Sequence, residues 1–256
     1  MRKNHNALMK TMSHSHDTET SWTVRKRPAE ERGRAEHGWL HARFTFSFAE
    51  YFDPDHMGFR SLRVMNNDIV EPGGGFPTHP HSDAEIFTYV ISGELEHRDS
   101  MGNGSVITPG NLQYMSAGSG VTHSEFNPSK DSRTELYQVW LLPKQSGGEP
   151  LYAEKQLGDA AKGDSLTLLF AGAEKEGATP IRQDAEISFG KLSPGKSLEV
   201  ASDEGQPHAW LQVIAGEVEV LGETLGKADG LAISDHPGAF TVTAKADSQF
   251  LLFRLS

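Results

Sequence analysis

The sequence predicts an all-β chain folded as two β-barrel domains, and three observations carry that expectation. Apolar residues come in short or alternating runs separated by Gly, Pro, Asn and Asp, at the close spacing typical of sandwich and barrel strands. Two stretches, one in each half, share a layout: "TYVISGELEHRDSMGN" with "ITPGNLQYMSAG" after it, and "LQVIAGEVEVLGETLGKADGLAISD". Each reads as an apolar strand, a glycine turn, an alternating strand, a second turn and a further strand, as two copies of one unit would. Long helical periodicity is absent.

Taken in order, residues 1–21 are polar and lack the apolar core of a secretory signal. They read as a disordered leader, with Met12 a second candidate start. Residues 22–143 form the first expected domain, with strands at "ARFTFSF" (42–48), "SLRVMNNDIV" (61–70), "IFTYVISG" (86–93), "LEHRDSMGNG" (95–104) and "LYQVWLL" (136–142). Residues 144–165, opening on the polar "KQSGGEPLYAEKQL", read as a linker with room for one helical turn. Residues 166–256 form the second domain, on runs such as "AEISFGKL", "AWLQVIAG" and "SQFLLFRLS".

Composition excludes several function classes. With no cysteine among 256 residues there are no disulfides and no thiolate metal sites. No window approaches the roughly 18 apolar residues of a membrane-spanning helix. The formal net charge is −11, and the densest basic run, "VRKRPAEERGR" (24–34), is broken by acids, so a nucleic-acid-binding face is not expected. The chain reads as a cytoplasmic monomer.

The histidines are more specific. His79 and His81 stand two apart, and His123 and Glu125 repeat that spacing. On strands, each pair presents two donors to one side, about 6.6 Å apart along the chain. Two neighbouring strands would then bring four donors to one point. Three imidazoles and a carboxylate suit a divalent transition metal, with Fe, Mn, Ni, Cu and Zn all chemically open. An octahedral ion so held keeps two positions free, which a catalytic metal needs. A second H-x-H, His14 and His16, lies in the leader with no strand to fix it and is not expected to matter. The second half carries only the isolated His208 and His236, and is read as metal-free.

Gly73-x5-His79-x-His81-x3-Glu85 and Gly120-x2-His123-x3-Asn127 resemble the two motifs of the cupin barrel. The longer texts "GGGFPTHPHSDAEIFTYVISGELEHRDSMGNGSVITPG" and "MSAGSGVTHSEFNPS" resemble the pirin family of bicupins, densely over about residues 23–145. The resemblance implies two stacked cupin barrels, with iron-type metal in the N-terminal one only. It implies His79, His81, His123 and Glu125 as ligands and Fe(II) as the metal. Glu85 becomes a hydrogen-bond acceptor steering a ligand imidazole. Where pirins commonly carry Arg soon after the second His, this chain has Ser82-Asp83.

Bacterial members of the family are linked to quercetin 2,3-dioxygenase activity. A flavonol offers a hydroxyl beside a carbonyl, and metal coordination lowers the pKa of that hydroxyl. Glu125 is the expected general base, and O2 then opens the ring with loss of carbon monoxide. Phe76, Phe87, Met65 and Met115 are candidate pocket liners. The alternative implied by nuclear members is a redox-responsive regulatory protein whose metal controls contact with a partner. A third possibility is metal-dependent isomerisation or hydrolysis, which would consume no O2.

Overall fold

A computed structural model describes residues 22–158 and 162–256. The leader, with Met12, His14 and His16, lies outside the described residues. Within them the regular elements with described bounds are strands, apart from a 3-10 turn at Ala29–Glu31. The first half comprises β1 (Thr23–Arg27), β2 (Gly33–Glu36), β3 (Leu40–Phe44), β4 (Leu62–Val70), β5 (Gly75–His81), β6 (Glu85–Ser92), β7 (Leu95–Asp99), β8 (Gly104–Ile107), β9 (Asn111–Ser116), β10 (Val121–Phe126), β11 (Thr134–Leu141) and β12 (Leu151–Gln156). The second comprises β13 (Ser165–Ala171), β14 (Thr179–Pro180), β15 (Ala185–Leu192), β16 (Ser197–Val200), β17 (His208–Ala215), β18 (Glu217–Val220), β19 (Glu223–Gly226), β20 (Gly230–Ser234), β21 (Phe240–Ala244) and β22 (Ser248–Leu255). No described helix is long and apolar enough to cross a membrane.

Each half is a jelly-roll sandwich of a large and a small sheet. The N-terminal sheets run β12-β9-β6-β11-β4-β3-β2 and β5-β10-β7-β8. The C-terminal sheets repeat that plan as β1-β20-β17-β22-β15-β13-β14 and β16-β21-β18-β19. The two large sheets face each other over one core containing Phe87, Tyr114, Phe170, Phe189 and Trp210. Phe87 stacks on Tyr114 and meets Phe170 edge-on, each at 5.0 Å between ring centres.

The pleat explains why β6, "EIFTYVIS", is buried along most of its length. Phe87 and Tyr89 point into the core between sandwiches, while Ile86 and Val90 point into the N-terminal interior. A strand covered on both faces reads as a continuous apolar run. At its end Gly93 takes φ 77°, and a β-carbon there would lie 2.5 Å from the Arg133 carbonyl. Only glycine meets both demands.

The halves are not divided where the Gly/Pro text divides them. β1 joins the C-terminal sheet against β20, because Val24 packs on the second sandwich's core. The segment read as a linker contains β12, which extends the N-terminal sheet through β9. Its Tyr152 hydroxyl bonds Ser105 at 2.7 Å. A strand at each chain crossing thus belongs to the sandwich its side chains pack against.

Candidate metal centre

β10 sits between β5 and β7 in the small N-terminal sheet. Its register sets His123 opposite His79, Val121 opposite His81, and Glu125 opposite His97. A bulge between His123 and Glu125 adjusts the pairing with β5 at that point. Gly75 lets β5 approach, since a β-carbon would lie 2.4 Å from the Glu125 carbonyl.

The imidazoles of His79, His81 and His123 converge, with nitrogens within 4.8 Å of one another. Their ring centres stand 4.5 to 4.8 Å apart, and the Nε2 atoms of His79 and His123 are 3.0 Å apart. The Nδ1 of His79 faces the Pro77 carbonyl at 2.8 Å. With Nδ1–H donating there, Nε2 keeps its lone pair for a metal. Trp140 of β11 meets the His81 ring edge-on at 4.9 Å.

Glu125 is 3% exposed. Gln138 Nε2 donates to its carboxylate at 3.0 Å, and the Thr88 hydroxyl reaches it at 3.3 Å. Burial pushes its pKa up, opposed by His97, Gln138 and other neighbours. Burial drives the other way for imidazoles, because it penalises the charged form. His81 is held at about 4 by burial and then by the neighbouring His79, and His123 at about 2 by burial and the surrounding imidazoles. These two rings therefore stay neutral at physiological pH with lone pairs available. Three imidazoles beside a buried carboxylate match the donor chemistry of a divalent transition metal.

A fourth histidine, not singled out in the sequence, completes the surroundings. His97, with His123 and Glu125, forms a second group of donors within 4.8 Å. Its signal was present as a third two-residue spacing, His97-x-Asp99, on an alternating strand. Both described groups lie in the N-terminal sandwich. In the C-terminal half His208 is buried and accepts the Asp235 amide at 3.2 Å, while His236 bonds the Gly238 carbonyl.

The structure reassigns several expected site residues. Glu85, 1% exposed, steers no imidazole, because the pleat turns it toward the other sandwich. It accepts the Tyr114 hydroxyl, Ser116 Oγ at 2.6 Å and the Arg182 backbone N–H at 2.9 Å. Phe87 and Met65 face the core between sandwiches for the same reason of alternation, and line no pocket at the histidines. Met115 is fully buried with Ile86 and Val121, and the partly buried Trp140 packs on that cluster. Phe76 approaches a ligand ring, 6.2 Å from His79.

Beside the histidines an open groove of about 490 Å³ is lined by Pro80, His81, Ser82, Gly120 and Thr122. A larger groove of about 680 Å³, between Lys144 and Asp184, includes none of the histidines. Chemistry places the site at the smaller one. Asp83 stands back from that mouth, its carboxylate accepting the Gly147 amide at 2.6 Å.

Comparison with known proteins agrees with this architecture. The family described as Pirin matches residues 25–141, and the family described as Quercetinase C-terminal cupin domain matches residues 168–255. A quercetin 2,3-dioxygenase from Escherichia coli strain K12 is 44% identical over 230 residues, covering 90% of this chain and 97% of that protein. A pirin-like protein from Caulobacter vibrioides is 39% identical over 231 residues, covering 90% and 98%. The crystal structure of the bacterial pirin YhhW from Escherichia coli in complex with nickel(II) superposes with a TM-score of 0.86 at 41% identity. That match covers 91% of this chain and 98% of that one.

Proposed function

The chain belongs to the pirin family, and on that premise we propose that it is a metal-dependent dioxygenase opening a flavonol such as quercetin with O2. The ligands are His79, His81, His123 and Glu125, and the metal is Fe(II). The observation that carries the reading is the convergence of three imidazoles, with a buried carboxylate behind them, at one groove of the N-terminal sandwich. A metal bound there supplies Lewis acidity and redox chemistry toward O2.

The chain's own residues do the rest. His79 and His123 present Nε2, the first through its bond to the Pro77 carbonyl. Glu125 accepts the substrate's hydroxyl proton on a carboxylate oxygen, a task favoured by the upward push of burial on its pKa. Gln138 and Thr88 hold that carboxylate in place. Trp140 and the groove beside His81 accommodate a flat aromatic molecule.

The test is oxygen uptake by Fe(II)-, Mn(II)- and Ni(II)-loaded protein given quercetin, alongside loss of its visible absorbance. His79→Ala serves as the control for free-metal chemistry. Coupled uptake and bleaching, abolished in His79→Ala, is the expected result. Metal binding at one equivalent with no uptake would refute the dioxygenase. Full metal stoichiometry in His81→Ala and Glu125→Ala would refute the ligand set.

A further inference from the structure

We infer that His97 is a positioning residue for the metal centre: with Asp99 behind it, it fixes the tautomer and tilt of His123 so that Nε2 faces the metal. The inference rests on the ligand set proposed above. The contacts form a chain. Asp99 Oδ2 lies 3.2 Å from His97 Nε2, and His97 Nδ1 lies 3.5 Å from His123 Nδ1. On the far side of that ring, His123 Nε2 lies 3.0 Å from His79 Nε2.

One proton arrangement satisfies the first two contacts with a ligating His123 and leaves the facing Nε2 atoms of His79 and His123 bare for the metal. His97 carries its proton on Nε2 and donates it to the carboxylate. Its bare Nδ1 accepts Nδ1–H of His123, which leaves His123 Nε2 with a lone pair for the metal. In a doubly protonated His97 the Nδ1–H would claim the Nδ1 lone pair of His123, putting the proton of a neutral His123 on Nε2 and closing that ligand position. A partner for the remote nitrogen of a ligand histidine sets its orientation and basicity.

The surroundings are built to hold His97 still. The side chains of His97 and Asp99 are both fully buried. Asp99 Oδ1 accepts the Met101 and Asn103 amides at 2.9 and 3.0 Å, and Oδ2 accepts the Asn103 side chain at 2.9 Å. Tyr152 stacks on the imidazole at 5.1 Å and 28°. This ring comes from β12, the strand inside the segment that reads as linker. Burying a polar ring costs stability unless it is hydrogen-bonded, and His97 has a partner at each ring nitrogen.

Direct ligation by His97 is the competing arrangement, since it shares a donor group with His123 and Glu125. It would require His123 to turn Nδ1 to the metal and forgo the cluster with His79 and His81. The test uses the full chain and needs no turnover. Ni(II) and Co(II) affinities are measured by chelator competition for wild type, His97→Phe and His97→Gln, with the visible spectrum of each Co(II) form. His97→Phe should weaken binding about 10- to 100-fold. His97→Gln, whose amide oxygen can accept Nδ1–H, should recover most of that loss, and the Co(II) spectra should keep the wild-type ligand pattern.

Wild-type affinity in His97→Phe would overturn the inference. So would a His97→Gln form that binds metal well with a Co(II) spectrum lacking one nitrogen ligand. If His97→Phe does not fold, His97→Gln decides alone: near-wild-type affinity with an unchanged spectrum supports positioning, and a loss of 10-fold or more overturns it. Failure of the flavonol assay leaves this result untouched, whereas full metal stoichiometry in His81→Ala refutes the ligand set itself.

Discussion

Asp68 of β4 offers a quantitative test of the electrostatics inside the N-terminal sandwich. It is 5% exposed, its Oδ1 has no hydrogen-bond partner, and the Glu125 carboxylate lies close enough to repel it. Burial first, and Glu125 second, raise its pKa from the ordinary 3.8 to about 7, against a smaller opposing pull from Arg32. The folded protein therefore keeps this proton up to about pH 7, while the unfolded chain loses it near 3.8. Between those values the folded state binds more protons, so stability falls as pH rises and levels off above 7. At 1.36 kcal/mol per pH unit, the gap is worth about 4 kcal/mol.

Asp68→Asn is nearly isosteric and cannot ionise, so it removes this decline. The assay is urea denaturation of chelator-stripped wild type and variant from pH 4 to pH 8, followed by tryptophan fluorescence. The variant's stability relative to wild type should climb by about 4 kcal/mol over that range, most of it by pH 7. A relative stability that stays flat from pH 4 to pH 8 would refute the reasoning. So would one that moves in the opposite direction.

Two further substitutions separate the fold from the site. Glu85→Leu leaves the Tyr114 hydroxyl, Ser116 Oγ and the Arg182 amide without their acceptor, and should cost at least about 3 kcal/mol in denaturation. Its metal affinity, read by chelator competition, should stay within about threefold of wild type, because Glu85 faces away from the histidines and positions none of them. Phe170→Ala removes a fully buried ring from the core between sandwiches and should cost about 3–5 kcal/mol. Both sandwiches should lose stability in that variant, as followed by hydrogen exchange in β6 and β15.

Much of this protein can be read from local text, and the physical reasons are particular. Strand text alternates because side chains alternate across the pleat, so β4, β6 and β11 lie within two residues of the apolar runs that announce them, while β7 stops at Asp99, five residues short of its run. By the same alternation each of the spacings His79/His81 and His123/Glu125 can present two donors to one side; the register of β10 with β5 sets His123 against His79, while Glu125 groups with His123 and His97.

Which side of a strand faces which neighbour is a different matter. Alternation says that Glu85 and Phe87 share a face, but not that this face meets a second sandwich rather than the metal. Only the docking of the two large sheets decided that, and it turned Glu85, Phe87 and Met65 away from the site. The exchange of β1 into the C-terminal sheet and the return of β12 to the N-terminal one were likewise hidden, because short polar strands owe their place to edges supplied by distant residues. His97 escaped for the same reason. Its meaning lies in contacts with His123, Asp99 and Tyr152; cross-strand register brings His123 to it and packing between the two N-terminal sheets brings Tyr152, and no local spacing encodes either. The sequence by itself determined most of the strands and the candidate donors; tertiary packing decided what each buried side chain touches, since that depends on surfaces contributed by the other half of the chain.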